Sequence, residues 1–132
     1  MDQERLERIA RGRGIRLLLQ FGSTVSGRIH PRSDVDLAVL LDRPSLSTRE
    51  HLDLLSDLQS LHPDREVDLV LVHRADPLLL KKITDTCRLL YGPVRRLQEL
   101  RIYAFKRYQD HRKYFELERE FVSRALSAEP VQ

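Results

Sequence analysis

Three short apolar runs constrain this chain more than anything else in it: Ile15–Phe21 (IRLLLQF), Val35–Leu41 (VDLAVLL) and Glu66–Val72 (EVDLVLV). The first lies between Gly14 and Gly22, the second follows Pro31 and Ser33, and the third is rich in valine, so each reads as a strand. The second and third carry an aspartate near their start, Asp36 and Asp68, and Asp34 stands two residues before Asp36. Residues two apart share one face of an extended chain, so Asp34 and Asp36 point one way while Val35 and Leu37 point the other. Like charges held that close repel, and burial raises the cost. A cation between them removes the conflict.

Helical spacing fills the intervals. Leu6, Ile9 and Ala10 predict a short helix over residues 2–12, with exit signals at Gly12 and Gly14. Residues 23–30 suit a short helix whose N-terminus faces back over the first strand. Ser47-Thr48-Arg49-Glu50 fits a capping box, and Leu52, Leu55, Leu58 and Leu61 follow it toward His62-Pro63. Asp76-Pro77 opens a further helix that runs to about Thr86, and Gly92-Pro93 breaks the chain after a short Arg88–Tyr91 segment. From Val94 to about Ala128 there is no proline or glycine. Leu97, Leu100, Ala104, Tyr108, His111, Phe115, Val122 and Ala125 recur there at spacings near three and four. A helix of about 30 residues is about 45 Å long, more than a globule of this size measures across, so part of it should overhang. The expected class is α/β (α+β): a small mixed β-sheet flanked by helices, in one domain of 132 residues, with a core at about 1–92 and a long C-terminal helix at about 93–128.

Composition supports a charged globule with a single core: 41% hydrophobic and 33% charged residues. A net charge of +3 is compatible with polyanionic partners without requiring one. Cys87 is the sole cysteine, so an internal disulfide is excluded and a reducing, cytoplasmic setting is expected. The N-terminus MDQERLERIARGRG has no apolar signal core, and no stretch approaches the roughly 20 apolar residues of a membrane span.

Asp68 sits in a setting close to that of Asp36, and if the two strands are neighbours it reaches the same face. Three converging carboxylates suit one or two hard divalent cations such as Mg²⁺, which takes oxygen ligands and keeps places for phosphate oxygens. Gly22-Ser23 adds a turn where backbone comes close to a ligand and a helix start aims free N–H groups at a phosphate. Arg28, His30 and Arg32 fill the loop before the aspartates and could meet the phosphate tail. A lone Asp-x-Asp, or a lone Gly-Ser, is ordinarily a turn or cap. Their combination, with ten residues between Ser23 and Asp34 and a third aspartate on a later strand, argues against accident. Glu66 lies on the same face as Asp68 and competes with it for the ligand role, although its place at the strand's polar start favours Asp68.

These residues carry a resemblance. Gly22-Ser23, ten residues, then Asp34-Val35-Asp36 resembles the signature of the nucleotidyltransferase (polymerase beta-like) superfamily, with Asp68 in the place of its third carboxylate. The small size, with "GSTVSG" followed by "SDVDL", looks most like the minimal nucleotidyltransferases (MNT), many of them antitoxins paired with a helical HEPN-type ribonuclease toxin. The resemblance implies that Asp34, Asp36 and Asp68 are catalytic and bind the metals. Asp34 and Asp36 would hold the triphosphate's ions, Asp68 would help activate the acceptor hydroxyl, and Gly22, Ser23 and Arg28 would contact the nucleotide. It further implies transfer of AMP from ATP to a tyrosine of a cognate HEPN toxin, silencing it. A non-catalytic antitoxin that masks its partner sterically, and a nucleotidyltransferase for a small molecule or RNA, are the alternatives. After Gly92 the chain offers one long helix, which favours a macromolecular acceptor.

On that helix Tyr103, Tyr114, Leu117 and Phe121 lie beside the first stripe. They are either ordinary surface or a docking face for a partner helix or a second copy, giving a hetero- or homo-oligomer. Arg95, Arg96, Arg101, Lys106, Arg107, Arg112 and Lys113 read as a solvated basic face rather than a nucleic-acid site. His111 and Cys87 read as packed residues, and His51, His62 and His73 lack zinc-like spacing.

Overall fold

The computed structural model describes residues 2–22, 25 and 34–127. Apart from Val25, the expected helix at 23–30 and the Pro31–Ser33 turn lie outside the described residues. Four strands, β1 (Ile15–Phe21), β2 (Val35–Leu41), β3 (Val67–Leu71) and β4 (Cys87–Tyr91), form one sheet in the order β3-β2-β1-β4. β1 runs antiparallel to both β2 and β4, whereas β2 and β3 are parallel, so the sheet is mixed. The parallel pair needs a crossover, which is helix α2 (Thr48–Gln59).

Helices lie on both faces. α1 (Gln3–Arg13) and α2 bury Leu6, Ala10, Leu54 and Leu58 against Leu18, Val35, Leu37, Val39 and Leu41. On the other face α3 (Pro77–Asp85) and the start of α4 (Val94–Ser127) bury Leu80, Ile83, Leu97 and Leu100 against Leu17, Leu19, Phe21 and Ala38. The strands are apolar on both sides because helices cover both sides. Within β1 the register slips between Ile15 and Leu17, which puts these two residues in opposite cores and leaves Arg16 exposed at the irregularity.

The expected caps are present. Ser47 and Glu50 form the reciprocal capping box, each bond 3.1 Å, and the Asp76 carboxylate accepts from the Leu79 N–H at 2.8 Å. Three details differ from expectation. Leu55, Leu58 and Leu61 pack toward the sheet as expected, but at the start of α2 Leu54 is buried in place of Leu52, which is 58% exposed. Cys87 is half-buried rather than core, since β4 is an edge strand. β3 begins at Val67 and stops at Leu71, where Val72–Arg74 tighten into a 3₁₀ turn.

α4 spans 34 residues, about 51 Å at 1.5 Å per residue, yet its buried positions are Leu97, Leu100 and Ala104 alone among the described residues. The remainder overhangs. The expected stripe therefore packs only in its first third: Tyr108 and His111 are half-buried, His111 stacking edge-on against Phe115 at 4.9 Å, while Phe115 and Val122 are exposed. No described helix is long and apolar enough to cross a membrane.

A candidate carboxylate site at the β2–β3 edge

The parallel register places Asp36 directly beside Asp68. Neighbouring strands lie about 4.8 Å apart, so both side chains leave the same sheet face at close quarters. Asp34 stands at the residue before β2 and shares their face by alternation. Two devices fix the start of β3. The Gln59 side chain donates to the carbonyls of His62 (2.9 Å) and Arg65 (2.6 Å) and accepts from the Val67 N–H (2.9 Å). Beside it, the Val35 N–H donates to the Glu66 carbonyl at 2.8 Å. Asp68 thus enters from a pinned loop, and Glu66 falls just outside the strand.

Electrostatics registers the gathering. The Asp36 carboxyl is held above the ordinary carboxylate range, first by its burial, then by the negative charges of Asp68 and Asp34. Lys82, on the exposed side of α3, opposes this. Asp34 and Asp68 are exposed, whereas Asp36 is half-buried, so Asp36 bears the desolvation. Among the described residues no three His, Cys, Asp or Glu side chains are drawn close enough to share one metal ion. The three carboxylates share an edge without closing into a cage. Their donor chemistry nevertheless fits a hard cation: all-oxygen, anionic, and penalised by mutual repulsion.

Gly22 completes the described part of the site. Phe21 lies opposite Asp36 in the β1–β2 register, and Gly22 follows at φ +79°. A Cβ built on Gly22 would stand 2.1 Å from Asp36 Oδ2, so the carboxylate folds over bare backbone. The Gly22 carbonyl accepts from the Val25 N–H at 3.2 Å. Ser23 and Arg28, like His30 and Arg32, lie outside the described residues. Sequence reasoning missed Lys82. The Asp76-Pro77 cap fixed the start of α3, but only the packing of that helix beside β1 brings its lysine to the aspartates.

Comparisons place this arrangement among known folds. No curated protein matches the chain. A solved toxin–antitoxin complex with AMP-PNP contains a chain 24% identical, with a TM-score of 0.72, over 97% of this chain and 100% of that one. A Shewanella oneidensis complex of a tri-AMPylated HEPN toxin with its MNT antitoxin matches at 22% identity and a TM-score of 0.66, over 96% of each chain. The spectinomycin adenyltransferase of Enterococcus faecialis, solved with ATP and spectinomycin, matches at 16% identity and a TM-score of 0.54, over 75% of this chain and 58% of that one. The family profile described as polymerase beta, nucleotidyltransferase matches residues 4–95, and the chain belongs to that family of nucleotidyltransferases.

Proposed function

We propose that this nucleotidyltransferase is an MNT antitoxin that transfers AMP from ATP to a tyrosine hydroxyl of a cognate HEPN-type toxin and so neutralises it. The observation that carries the reading is the side-by-side register of Asp36 and Asp68, with Asp34 two residues away and Gly22 beneath. Asp34 and Asp36 would hold one or two Mg²⁺ ions, with Asp68 completing the set. Bound there, the cation neutralises the triphosphate and makes its α-phosphorus more electrophilic.

The acceptor oxygen forms a bond to the α-phosphorus while the bond to the bridging oxygen breaks, and pyrophosphate leaves. Exposed Asp68 is the carboxylate suited to take the hydroxyl proton. Gly22, Ser23 and Arg28 would contact the triphosphate, with Lys82 adding a positive charge on the α3 side. Residues 1–92 form the catalytic core of a single domain, and residues 93–128 an interaction helix. The overhang of α4 supports that division: Phe121 and Leu126 are 73% and 82% exposed on a helix with no packing partner there among the described residues.

The match to one chain of solved toxin–antitoxin complexes, over 96–100% of that chain, supports a protein acceptor over a small molecule, for which the spectinomycin enzyme matches over 58% of its chain. Steric masking by α4 is the rival reading. One experiment separates the two. The purified chain is incubated with α-labelled ATP, Mg²⁺ and the candidate HEPN-type toxin. Label on that partner, lost with Asp34→Ala/Asp36→Ala together with neutralisation, supports transfer; neutralisation that persists in the double variant supports masking.

A further inference from the structure

At the end of the sheet opposite the carboxylates lies a second set of converging groups. A cavity of about 410 Å³ opens between the C-terminal end of β2 and α4, with Leu40 and Leu100 as its floor and His73, Arg96, Tyr103 and Arg107 around it. A smaller hollow of about 200 Å³ shares Leu40 and His73 with it and adds Arg16 and Arg43. The two make one groove. Its arginines come from the β1 irregularity, the loop after β2, and α4, so three separate segments deliver charge to one place. Along β2, Asp36 is four residues from Leu40, about 13 Å, which keeps this groove apart from the catalytic edge.

We infer that this groove binds a single-stranded polynucleotide, with phosphates held by Arg16, Arg43, Arg96 and Arg107 and a base stacked on Tyr103. Two carboxylates, Asp42 and Glu99, line it against those four arginines, and Glu99 is already paired with Arg95 at 3.4 Å. Arg43 meets Glu50 at 2.7 Å, a half-exposed pair that a phosphate can replace at little cost. The Tyr103 ring is 51% exposed, and the Arg107 guanidinium stands 5.7 Å from its centroid, a flat cationic and aromatic pair of the kind on which bases stack. A free phosphate or an acidic peptide would use the arginines but not the ring. A single nucleotide would leave the second hollow, with Arg16 and Arg43, unused. The basic α4, read from sequence as a solvated face, acquires this role only because β1 and the loop after β2 bring further arginines to it.

The test is fluorescence anisotropy of a labelled oligo(U) RNA titrated with the full chain. Saturable binding is expected, with log affinity falling against log salt at a slope of about −3 for four phosphate contacts. Arg96→Ala/Arg107→Ala should weaken binding at least about tenfold and roughly halve that slope. Arg16→Ala, on a different element, should weaken it too, so damage to α4 cannot account for the result. Tyr103→Leu should cost about fivefold or more with the slope unchanged. The charge-matched control Arg112→Ala/Arg124→Ala should stay within about twofold of wild type, since these residues lie along the overhang. Absence of saturable binding at low salt overturns the inference. So does equal weakening by the two double variants, or displacement of the RNA by polyglutamate at equal charge.

Discussion

Replacing Gly22 by alanine perturbs the carboxylate site through backbone geometry alone. Ordinary contact begins near 3.4 Å, and the added methyl would stand 2.1 Å from Asp36 Oδ2, so the carboxylate must retreat by 3.4 − 2.1 = 1.3 Å. A residue with a Cβ at φ +79° also carries strain of about 1–3 kcal/mol. For a chain of this size that corresponds to a Tm lower by roughly 4–11 °C. A shift of about 1 Å in a group that holds the reacting complex costs about 100-fold in rate. Gly14→Ala supplies the comparison: φ is +68° and the new Cβ would stand 2.5 Å from Asp42 Oδ1, at the other end of the sheet. It should lose similar stability while AMP transfer per folded molecule stays within about twofold. The assays are thermal melts, initial rates of label transfer below both melting temperatures, and calorimetric affinity for Mg²⁺·ATP. Equal loss of activity in the two variants, or full activity in Gly22→Ala, would refute the reasoning that Asp36 needs the space above Gly22.

Other outcomes follow from the same geometry. Because the folded protein holds the Asp36 proton more tightly than the unfolded chain, ionisation of Asp36 weakens the fold as pH rises from its ordinary value of 3.8 through its raised one. Asp36→Asn should therefore melt higher than wild type in Mg²⁺-free buffer at neutral pH and equal to it at strongly acid pH, while losing transfer activity by about a thousandfold or more. In NMR titrations Lys82→Gln should raise the Asp36 pKa further, and Asp68→Asn should lower it; the opposite order would mean that these charges do not face Asp36. Mg²⁺ at about ten times its dissociation constant should stabilise wild type by about 1.4 kcal/mol, a rise of roughly 4–6 °C, and leave Asp34→Asn/Asp36→Asn unmoved. Ser47→Ala removes the hydroxyl that accepts from the Glu50 N–H, one half of the α2 capping box, and should cost about 1 kcal/mol in thermal melts without altering transfer.

The strands, the caps and the overhang of α4 were legible because each has a local cause: an apolar run between breakers, an Asp or Ser before a helix, a proline-free stretch longer than a globule. The pairing of Asp36 with Asp68 was legible only as a condition, since nothing local says that β2 and β3 are neighbours. The α2 crossover and the Gln59 clamp settle it in three dimensions. In and just after α2, Leu55, Leu58 and Leu61 pack as their spacing predicts, but a strict three-residue row drifts round a helix of 3.6 residues per turn, so Leu52 leaves the buried face and Leu54 occupies it. Lys82 was invisible for a related reason: a lysine on an exposed helix face becomes part of a site only through what that helix packs beside. Arg16 shows the same limit, because its exposure depends on a register slip that no single run of residues encodes.

In the proposed function a cation and a nucleotide relieve the repulsion that Asp68 and Asp34 exert on Asp36. A crystal structure of the chain with Mg²⁺ and a non-hydrolysable ATP analogue tests this most directly. The account predicts carboxylate oxygens of Asp34 and Asp36 about 2.1 Å from an ion that also contacts phosphate oxygens, with Asp68 beside the α-phosphate. An ion and nucleotide bound away from the β2–β3 edge, or an Asp36 carboxylate left outside every coordination shell, would contradict it.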